Sequence, residues 1–369
     1  MKILLAGGGT AGHINPALAI AGYAKNADKK TKILFVGTKK GLESTLVPDA
    51  GYDIKFIKVE GLSKKLTFEN LKSLCHMLTA KQKCKKIIKS FNPDIVIGTG
   101  GYVCAPAVMA ANSLGIPTLI HEQNVFPGSA IKLLSKTSTV TAISFDDSRK
   151  YLSDAKEILF TGNPIRPEVL SCSRESARKS FGLSDEKFIL IFGGSLGAEA
   201  INSVAVEYMN QSDNPKVRIL FATGNRNYDE IKEKITRLGI DKKENISVVP
   251  YIHNMDMAMN AADVVVCRSG AITISELSAL GKPAILIPSP NVTNNHQEYN
   301  ARALSDKGAA ITILEKDFNL SSLDSALNSL ICNEDKMREM SKKSISVSSV
   351  NALEIIYGKM KELTQRVGK

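Results

Sequence analysis

A histidine follows a run of small residues near the start of the chain. Residues 7–12 read Gly-Gly-Gly-Thr-Ala-Gly, and His13 comes directly after them. The preceding residues, 2–6, are apolar enough for a buried strand, and a loop without bulky side chains leaves its backbone amides open to a ligand. Asn15 and Pro16 are typical of a helix start, where unpaired amides favour negative charge. A titratable ring on a loop beside an anion cradle indicates chemistry, so His13 is a candidate catalytic residue.

The same loop formally fits the dinucleotide-binding pattern Gly-x-Gly-x-x-Gly, which is a weak signal alone. That pattern expects an acidic residue at the end of the next strand, where it would hold a ribose. The strand predicted at 32–36 instead runs into Gly-Thr-Lys-Lys at 37–40. An NAD site is therefore disfavoured, while an NADP-dependent oxidoreductase with Lys39 on the 2′-phosphate stays open. A purely structural role for His13 also stays open.

A second glycine-rich loop predicts that the two halves of the chain are built alike. Residues 193–197 read Gly-Gly-Ser-Leu-Gly, follow a predicted strand and precede a helix expected from Ala198. Strand and helix patterns alternate in both halves, so we predict an α/β protein with two Rossmann-like, doubly wound domains facing a cleft. We place these domains at 1–163 and 164–345. A C-terminal helix within 346–369, at about 351–366, is expected to pack across the domain junction. Its apolar face is predicted to carry Leu353, Ile356, Tyr357, Met360 and Leu363.

Composition favours a large soluble protein. The 369 residues are 43% hydrophobic and 23% charged, which is enough apolar sequence for two cores. No apolar run reaches the roughly 18 residues of a membrane span, and the chain opens directly into a strand, so we expect a cytoplasmic protein. The six cysteines show no Cys-x-x-Cys pairing, which favours reduced thiols.

The net charge of +11 is concentrated in the first half. Residues 1–163 hold 22 basic and 12 acidic residues, against 26 and 25 in the remainder. Residues 64–89 hold eight lysines and one acid, with apolar residues from Leu66 to Leu78 spaced for one helix face. One interpretation is a solvated helix with an ordinary core face. The other is docking on an anionic membrane, where each nearby lysine adds roughly 1 kcal/mol. Nucleic acid is not expected, because Phe68 alone could stack on bases there.

Five short motifs occur in one order along the chain. They are Gly8-Gly9-Thr10-Ala11-Gly12-His13, His121-Glu122-Gln123-Asn124, Gly162-Asn163-Pro164-Ile165-Arg166, Gly193-Gly194-Ser195-Leu196-Gly197-Ala198 and Ser269-Gly270-Ala271-Ile272-Thr273-Ile274-Ser275-Glu276. This set is similar to the MurG family, bacterial glycosyltransferases that transfer N-acetylglucosamine from UDP-N-acetylglucosamine to lipid I, a muramyl-pentapeptide carried on undecaprenyl diphosphate. The resemblance spans nearly the whole chain and implies a GT-B fold and formation of lipid II for peptidoglycan. One departure is Ala11, which stands where the family usually has a glycine.

A nucleotide site is expected in the second half. The strand at 263–267 leads into a helix whose first amides would face a diphosphate, and Glu276, one turn on, is placed to accept from two ribose hydroxyls. The alternative for Glu276 is an ordinary surface glutamate. The resemblance implies that UDP binds here, with the Ile252 backbone on the uracil edge, Arg166 near the nucleotide and Gln297 on the sugar hydroxyls. The expected diphosphate donors are the amides of Ala271, Ile272 and Thr273 and the hydroxyl of Ser195.

The reaction itself needs a base and a way to stabilise the leaving diphosphate. A sugar hydroxyl is too weak an acid to attack unaided, so we expect a general base, with His13 first and Glu122 second. Asn124 would orient a sugar, and Thr10, Ala11 and Gly12 would contact the substrate. The sequence holds no Asp-x-Asp pair for a divalent cation. We therefore expect metal-independent transfer by amide and hydroxyl donors, without a cofactor and with inversion at the anomeric carbon.

Related enzymes on the same scaffold are the main alternatives. A diacylglycerol glucosyltransferase or a UDP-N-acetylglucosamine 2-epimerase would share the second half, so the first half has to distinguish them. A membrane-surface protein without activity would account for 64–89 alone. With a lipid-linked acceptor, we expect peripheral attachment to the cytoplasmic face of the cell membrane near Leu66 to Leu78.

Overall fold

The structure, a computed structural model, describes residues 1–59 and 68–366. Contacts within the chain divide it into two units: Met1–Ile165 together with Ser349–Lys369, and Arg166–Ser348. The boundaries predicted at 163 and 345, and the expected packing of the C-terminal helix across the domain junction, stay predictions.

Both units are built from parallel strands that alternate with helices, as the sequence predicts. The strands are β1 (Lys2–Gly7), β2 (Lys32–Gly37), β3 (Asp53–Phe56), β4 (Ile95–Gly100), β5 (Thr118–Glu122), β6 (Val140–Ile143), β7 (Ile158–Phe160), β8 (Lys187–Phe192), β9 (Val217–Ala222), β10 (Ile246–Val249), β11 (Val264–Cys267), β12 (Ala284–Leu286) and β13 (Ile311–Thr312). The helices are α1 (Ala11–Ala27), α2 (Glu43–Asp49), α3 (Phe68–Phe91), α4 (Cys104–Asn112), α5 (Ser129–Ser135), α6 (Pro167–Ser171), α7 (Arg174–Ser180), α8 (Glu199–Gln211), α9 (Tyr228–Arg237), α10 (Met255–Ala261), α11 (Ala271–Ala279), α12 (His296–Ser305), α13 (Leu320–Ile331), α14 (Glu334–Ser346) and α15 (Ala352–Arg366).

Each sheet reverses its strand order beside a glycine-rich loop. The first sheet has the order β3-β2-β1-β4-β5-β6-β7, and the second has the order β10-β9-β8-β11-β12-β13. In each sheet the strand before the glycine loop, β1 or β8, has the next two strands of the chain on one side and the later strands on the other. Ligands of open α/β sheets bind at the carboxyl ends of strands at such a switch point. The α/β class and the doubly wound topology of both units are therefore confirmed.

The first sheet is covered on both faces, and side chains alternate between them along β1. Ile3 and Leu5 pack with α1 on one face, while Leu4 and Ala6 pack on the other with α3 and α4. Helix α15 adds its apolar side to the first of these cores. The residues expected on that side are all there, with Ile356, Met360 and Leu363 buried and Leu353 and Tyr357 partly buried.

Helix α1 begins four residues earlier than expected. The sequence predicted a start near Asn15 with His13 on the loop, but the helix starts at Ala11 and places His13 in its first turn. Thr10 is the extended residue before the helix, and its carbonyl oxygen accepts from the amides of His13 and Ile14. Asn15 therefore does not cap the helix, and the predicted helix start is wrong.

Helix α3 carries most of the basic stretch. Ala80, Cys84 and Ile88 are buried against the first sheet, whereas the Leu78 side chain is 57% exposed. Residues 60–67, and with them Lys64, Lys65 and Leu66 of the predicted docking stretch, lie outside the described residues, as do the side chains of 68–75. No helix in the described ranges is long and apolar enough to span a bilayer.

Candidate active site

The second glycine loop borders a cleft of about 640 Å³ in the second unit. Gly193, Gly197 and Ala198 line one part of it, and Arg268 and Gln297 line another. The cleft therefore lies at the carboxyl ends of β8 and β11, where the sheet order reverses.

The second glycine loop passes the backbone at the end of β9 at close range, which leaves no room for a side chain at Gly197. A Cβ atom at Gly197 would lie 2.1 Å from the Thr223 carbonyl oxygen, and Gly197 has a φ of +81°. The Asn202 side chain donates to the same oxygen at 2.9 Å, which ties α8 to the end of β9. A glycine at this position is thus a steric requirement.

The turn from β11 into α11 connects to α12 by side-chain hydrogen bonds. The Ser269 hydroxyl donates to the Gln297 carbonyl oxygen at 2.8 Å, and the Asn300 amide donates to the Ser269 carbonyl oxygen at 3.2 Å. Gln297 Oε1 accepts from the Ser289 backbone amide at 2.9 Å. These contacts fix Gln297 at the cleft, while Ala271, Ile272 and Thr273 form the first turn of α11.

Arg166 and Glu276 are 110 residues apart in the chain and form an ion pair. Arg166 Nε donates to Glu276 Oε1 at 2.9 Å, and the carboxylate side chain is 5% exposed. Burial raises the pKa of Glu276, and the neighbouring guanidinium offsets this only in part. Glu276 is therefore not the ordinary surface glutamate that the sequence left open.

Ser195 and Ile252 occupy different environments in the second unit. Ser195 is exposed on the glycine loop, whereas Ile252 is buried between β10 and α10. The structure thus brings Gln297 to the loop that carries Ser195 and pairs Arg166 with Glu276.

In the first unit, the His13 ring is held by backbone. Nδ1 lies 3.2 Å from the Gly8 carbonyl oxygen and 3.2 Å from Thr10 Oγ1. A hydrogen bond to the Gly8 carbonyl oxygen, which can only accept, places the proton on Nδ1 and leaves the lone pair of the neutral ring on Nε2. The other tautomer would give up this bond and let Nδ1 accept from Thr10 Oγ1. The end of β4 passes close to the ring: a Cβ atom at Gly100 would lie 2.7 Å from His13 Cδ2.

The motif His121 to Asn124 is mostly buried in a polar network. His121 Nε2 lies 3.0 Å from the Gly162 carbonyl oxygen, and Gln123 Nε2 lies 3.0 Å from His121 Nδ1. Gln123 also donates to the Thr99 carbonyl oxygen, and Thr99 Oγ1 donates to the His13 carbonyl oxygen at 2.7 Å. Burial lowers the pKa of His121 to about 4, so its ring is neutral at pH 7. This motif therefore supports the His13 backbone.

The two candidates for the base differ in their surroundings. The Glu122 carboxylate is buried, and its oxygens accept from the backbone amides of Asn124 and Gly128, both at 2.8 Å. The Asn124 side chain donates to the same carboxylate at 3.1 Å. Burial raises the pKa of Glu122, and these hydrogen bonds only partly offset it. His13 is partly exposed, and its neighbours Thr10, Ala11 and Gly12 are exposed, so a substrate can approach this side of α1.

Sequence reasoning missed Glu43, which lies under the first glycine loop. Its Oε2 accepts from the Gly9 amide at 3.0 Å, and its Oε1 accepts from the Thr38 amide at 2.9 Å and from Thr38 Oγ1 at 2.8 Å. The dinucleotide pattern asks for an acid at the end of β2, and this acid comes six residues after that strand ends. The sequence signal that could have identified Glu43 is an acidic residue two positions after the glycine-containing turn at 37–41.

Comparisons with known proteins identify the family. Residues 3–143 match the glycosyltransferase family 28 N-terminal domain, and residues 188–356 match the C-terminal domain of the same family. The chain belongs to glycosyltransferase family 28. A relative from Acetivibrio thermocellus is 49% identical over 365 residues, covering 98% of each chain, and is named UDP-N-acetylglucosamine–N-acetylmuramyl-(pentapeptide) pyrophosphoryl-undecaprenol N-acetylglucosamine transferase. A relative of that name from Thermoanaerobacter sp. is 46% identical and covers 99% of this chain and 100% of its own.

Solved structures agree with this assignment. The crystal structure of Acinetobacter baumannii MurG has a TM-score of 0.79 and 29% identity, covering 98% of this chain and 99% of its own. The predicted MurG family, the GT-B fold and the class of hexosyltransferase are thus confirmed. A Neisseria meningitidis UDP-GlcNAc 2-epimerase bound to UDP-GlcNAc has a TM-score of 0.71 at 15% identity, which shows a shared fold alone.

The buried imidazole of this family 28 enzyme predicts acid sensitivity. His121 has a folded-state pKa of about 4 against 6.5 for the free side chain, so the unfolded chain binds the extra proton first. Stability is therefore complete above about pH 6.5 and falls as the pH drops towards 4, by about 3 kcal/mol from this group. Urea unfolding of the wild type and of His121→Gln at pH 7 and pH 5 should show a smaller loss for the variant. An equal loss in both would contradict a buried neutral His121.

Proposed function

We propose that this family 28 enzyme transfers N-acetylglucosamine from UDP-N-acetylglucosamine to lipid I and so forms lipid II for peptidoglycan synthesis. The observation that carries the proposal is the relative named for this reaction, which is 49% identical and matches 98% of both chains. Lipid I is the acceptor in that name, an N-acetylmuramyl-pentapeptide on pyrophosphoryl-undecaprenol. The donor would bind the second unit and the acceptor the first.

The donor's diphosphate would sit at the cleft of the second unit. Negative charge grows on the diphosphate as the sugar leaves, and amides at a helix N-terminus are preorganised to receive it. The first turn of α11, with Ala271, Ile272 and Thr273, and the hydroxyl of Ser195 would supply these donors. Gln297, which lines the cleft, would contact the sugar hydroxyls. Transfer would then need no divalent cation.

The nucleoside would be held by the remaining predicted residues. Glu276 would accept from the ribose hydroxyls, and its ion pair with Arg166 supports this role, because the guanidinium stabilises the charged carboxylate in a buried place. The Ile252 backbone would face the uracil edge. The hydrogen bond of 2.9 Å from Arg166 Nε to Glu276 Oε1 would already hold the carboxylate in place for a ribose diol that donates to it.

His13 would act as the general base in the first unit. Its neutral ring with the proton on Nδ1 offers Nε2 to the acceptor hydroxyl, and direct attack would invert the anomeric carbon. Thr10, Ala11 and Gly12 would contact the acceptor beside it, and Asn124 would help to orient a sugar. Glu122 is better suited to positioning, because both of its oxygens already accept from the loop after β5.

An oxidoreductase is disfavoured by the first glycine loop. The Gly9 amide, which a dinucleotide phosphate would need, already donates to the Glu43 carboxylate. A second negative charge at this place would be repelled.

A direct assay tests the proposed reaction. The purified enzyme is incubated with radiolabelled UDP-N-acetylglucosamine and a lipid I analogue, with and without EDTA, and label in the lipid product is counted. We expect transfer at the same rate in both samples, because the leaving group is stabilised by protein donors. Label released as free sugar or left on UDP, with none in lipid, would contradict the acceptor. Loss of transfer in EDTA would contradict the metal-independent mechanism.

Substitution of His13 tests the proposed base. His13→Ala should lower kcat by about 10²- to 10⁴-fold, the usual contribution of general base catalysis, while the Kd for UDP stays within about twofold. Asn15→Ala is the matched control, because Asn15 is exposed on the same helix and should retain wild-type kcat. Both variants are compared by steady-state kinetics and by calorimetric titration with UDP. Wild-type turnover in His13→Ala would remove His13 from the mechanism.

We further propose that the enzyme attaches peripherally to the cytoplasmic leaflet through the basic side of α3. Lys83 and Lys86 are exposed there, and Leu78 is exposed one to two turns earlier. An acceptor with a diphosphate headgroup lies in an anionic surface, where cationic and apolar side chains bind together. The basic excess of residues 1–163 supports this role. Nucleic acid is not among the proposed partners.

Charge reversal tests the docking surface. Changing Lys81, Lys83, Lys85 and Lys86 to Glu should reduce cosedimentation with vesicles containing anionic lipid to the level seen with neutral vesicles, because each lysine contributes roughly 1 kcal/mol. The matched control reverses four exposed lysines of the second unit, which are Lys232, Lys234, Lys336 and Lys342. This control should keep most of its binding. Equal losses in the two variants would assign binding to overall charge rather than to α3.

A further inference from the structure

One peptide group in the first glycine loop is engaged on both sides. The amide of Gly9 donates to Glu43 Oε2 at 3.0 Å, and the carbonyl oxygen of Gly8 accepts from His13 Nδ1 at 3.2 Å. The Gly8 carbonyl and the Gly9 amide belong to the same planar peptide bond. A carboxylate, a peptide and an imidazole are therefore joined in one line of hydrogen bonds.

Glu43 is held as a carboxylate although it is fully buried. Burial acts to raise the pKa of Glu43, but hydrogen bonds from Gly9 and Thr38 outweigh it and hold the pKa below its usual value. Three donors form hydrogen bonds to the two carboxylate oxygens and stabilise the ionised form.

The surrounding glycines make room for this arrangement. A Cβ atom at Gly8 would lie 2.7 Å from Glu43 Cδ, and one at Gly41 would lie 2.2 Å from Glu43 Oε2. A Cβ atom at Gly101 would lie 2.1 Å from the Gly8 carbonyl oxygen. Gly9 itself has a φ of +86°, a backbone conformation that favours glycine. Side chains at these positions would displace the carboxylate or the peptide.

We propose that Glu43 is a positioning residue that acts on His13 through the Gly8–Gly9 peptide and keeps the ring proton on Nδ1, so that Nε2 faces the acceptor as the base. This inference rests on the proposed role of His13. A carboxylate that accepts from one end of a peptide makes the carbonyl at its other end a stronger acceptor, because hydrogen bonds in a chain polarise one another. The stronger acceptor fixes the tautomer and stabilises the imidazolium that forms when Nε2 takes the proton.

Other groups around the loop do not supply this charge. Thr10 Oγ1, 3.2 Å from Nδ1, is neutral, and Tyr102 packs its ring against Gly9 from the loop after β4. Cys104, at the start of α4, stays a thiol because burial raises its pKa to about 12. From β4, Thr99 Oγ1 donates to the His13 backbone carbonyl oxygen rather than to the ring. Among these groups, the Glu43 carboxylate at the start of α2 is thus the negative charge that can polarise the Gly8–Gly9 peptide.

The variant Glu43→Gln tests the proposal, with Thr38→Val as the matched control. Gln keeps the shape but removes the charge, so kcat should fall by about 10- to 100-fold, as for partners that orient a functional imidazole. The acid limb of the pH–rate profile should move to lower pH, because the imidazolium is less stabilised. The KM for UDP-N-acetylglucosamine should stay within about twofold of wild type. Thr38→Val removes one hydrogen bond to the same carboxylate but keeps its charge and the Gly9 contact, and should leave the acid limb in place.

The outcomes separate positioning from simple support of the loop. An unchanged acid limb in Glu43→Gln, whatever the loss of kcat, would overturn the proposal, and so would an equal shift in Thr38→Val. Should Glu43→Gln fail to fold, ¹⁵N spectra of the wild-type ring decide, with the His13 signals assigned by their loss in His13→Gln. We expect the neutral ring to carry its proton on Nδ1, and a ring protonated on Nε2 would overturn the proposal. This readout needs no turnover, so it is independent of whether His13→Ala is active.

Discussion

The hydrogen bond from the Gly9 amide to the Glu43 carboxylate is the interaction on which the site of the first unit depends. A glycine loop after a central strand exposes amides that need acceptors, and in this unit a buried side chain takes one of them. The consequence is chemical as well as structural, because the loop loses a phosphate-binding donor and gains a fixed carbonyl for His13. The second unit keeps its corresponding loop at the wall of a cleft. Similar folds thus surround their glycine loops in different ways in the two units.

The buried network around His121 shows how a motif rich in titratable residues can be mainly structural. The His121 ring is hydrogen-bonded to the Gly162 carbonyl oxygen, and the Gln123 amide donates to the Thr99 carbonyl oxygen. The Glu122 carboxylate accepts from the Gly128 amide in the following loop. A buried, hydrogen-bonded network of this kind is rigid, because each lost partner would leave a buried polar group unsatisfied. The network holds Thr99 in place through Gln123, and the Thr99 hydroxyl in turn donates to the His13 backbone carbonyl oxygen. Rigidity under α1 is what a base needs if it is to meet a hydroxyl in one geometry.

Much of the architecture could be predicted because its signals are local. Alternating apolar strands and helices gave the two parallel sheets, and the apolar positions of α15 were identified individually, since a period of 3.6 residues is visible in a short window. The start of α1 could not be read this way, because Asn15 and Pro16 imitate a helix cap while the Thr10 carbonyl oxygen sets the actual start. Glu43 was missed for a related reason. Its partner Gly9 is 34 residues away, and only the fold brings them together.

The fold alone does not determine which reaction is catalysed. An epimerase with 15% identity reaches a TM-score of 0.71 with this chain, so a UDP-sugar scaffold is compatible with chemistry that needs no second sugar. What distinguishes a transferase is a base that faces an acceptor and a surface that admits it. In this chain the base candidate sits on a helix start whose exposed neighbours are small and uncharged, Thr10, Ala11 and Gly12. A bulky acceptor headgroup would be able to approach such a surface. The Glu43 carboxylate, which we propose positions this base, stays buried beneath the loop, where it would not repel the acceptor's diphosphate at contact distance.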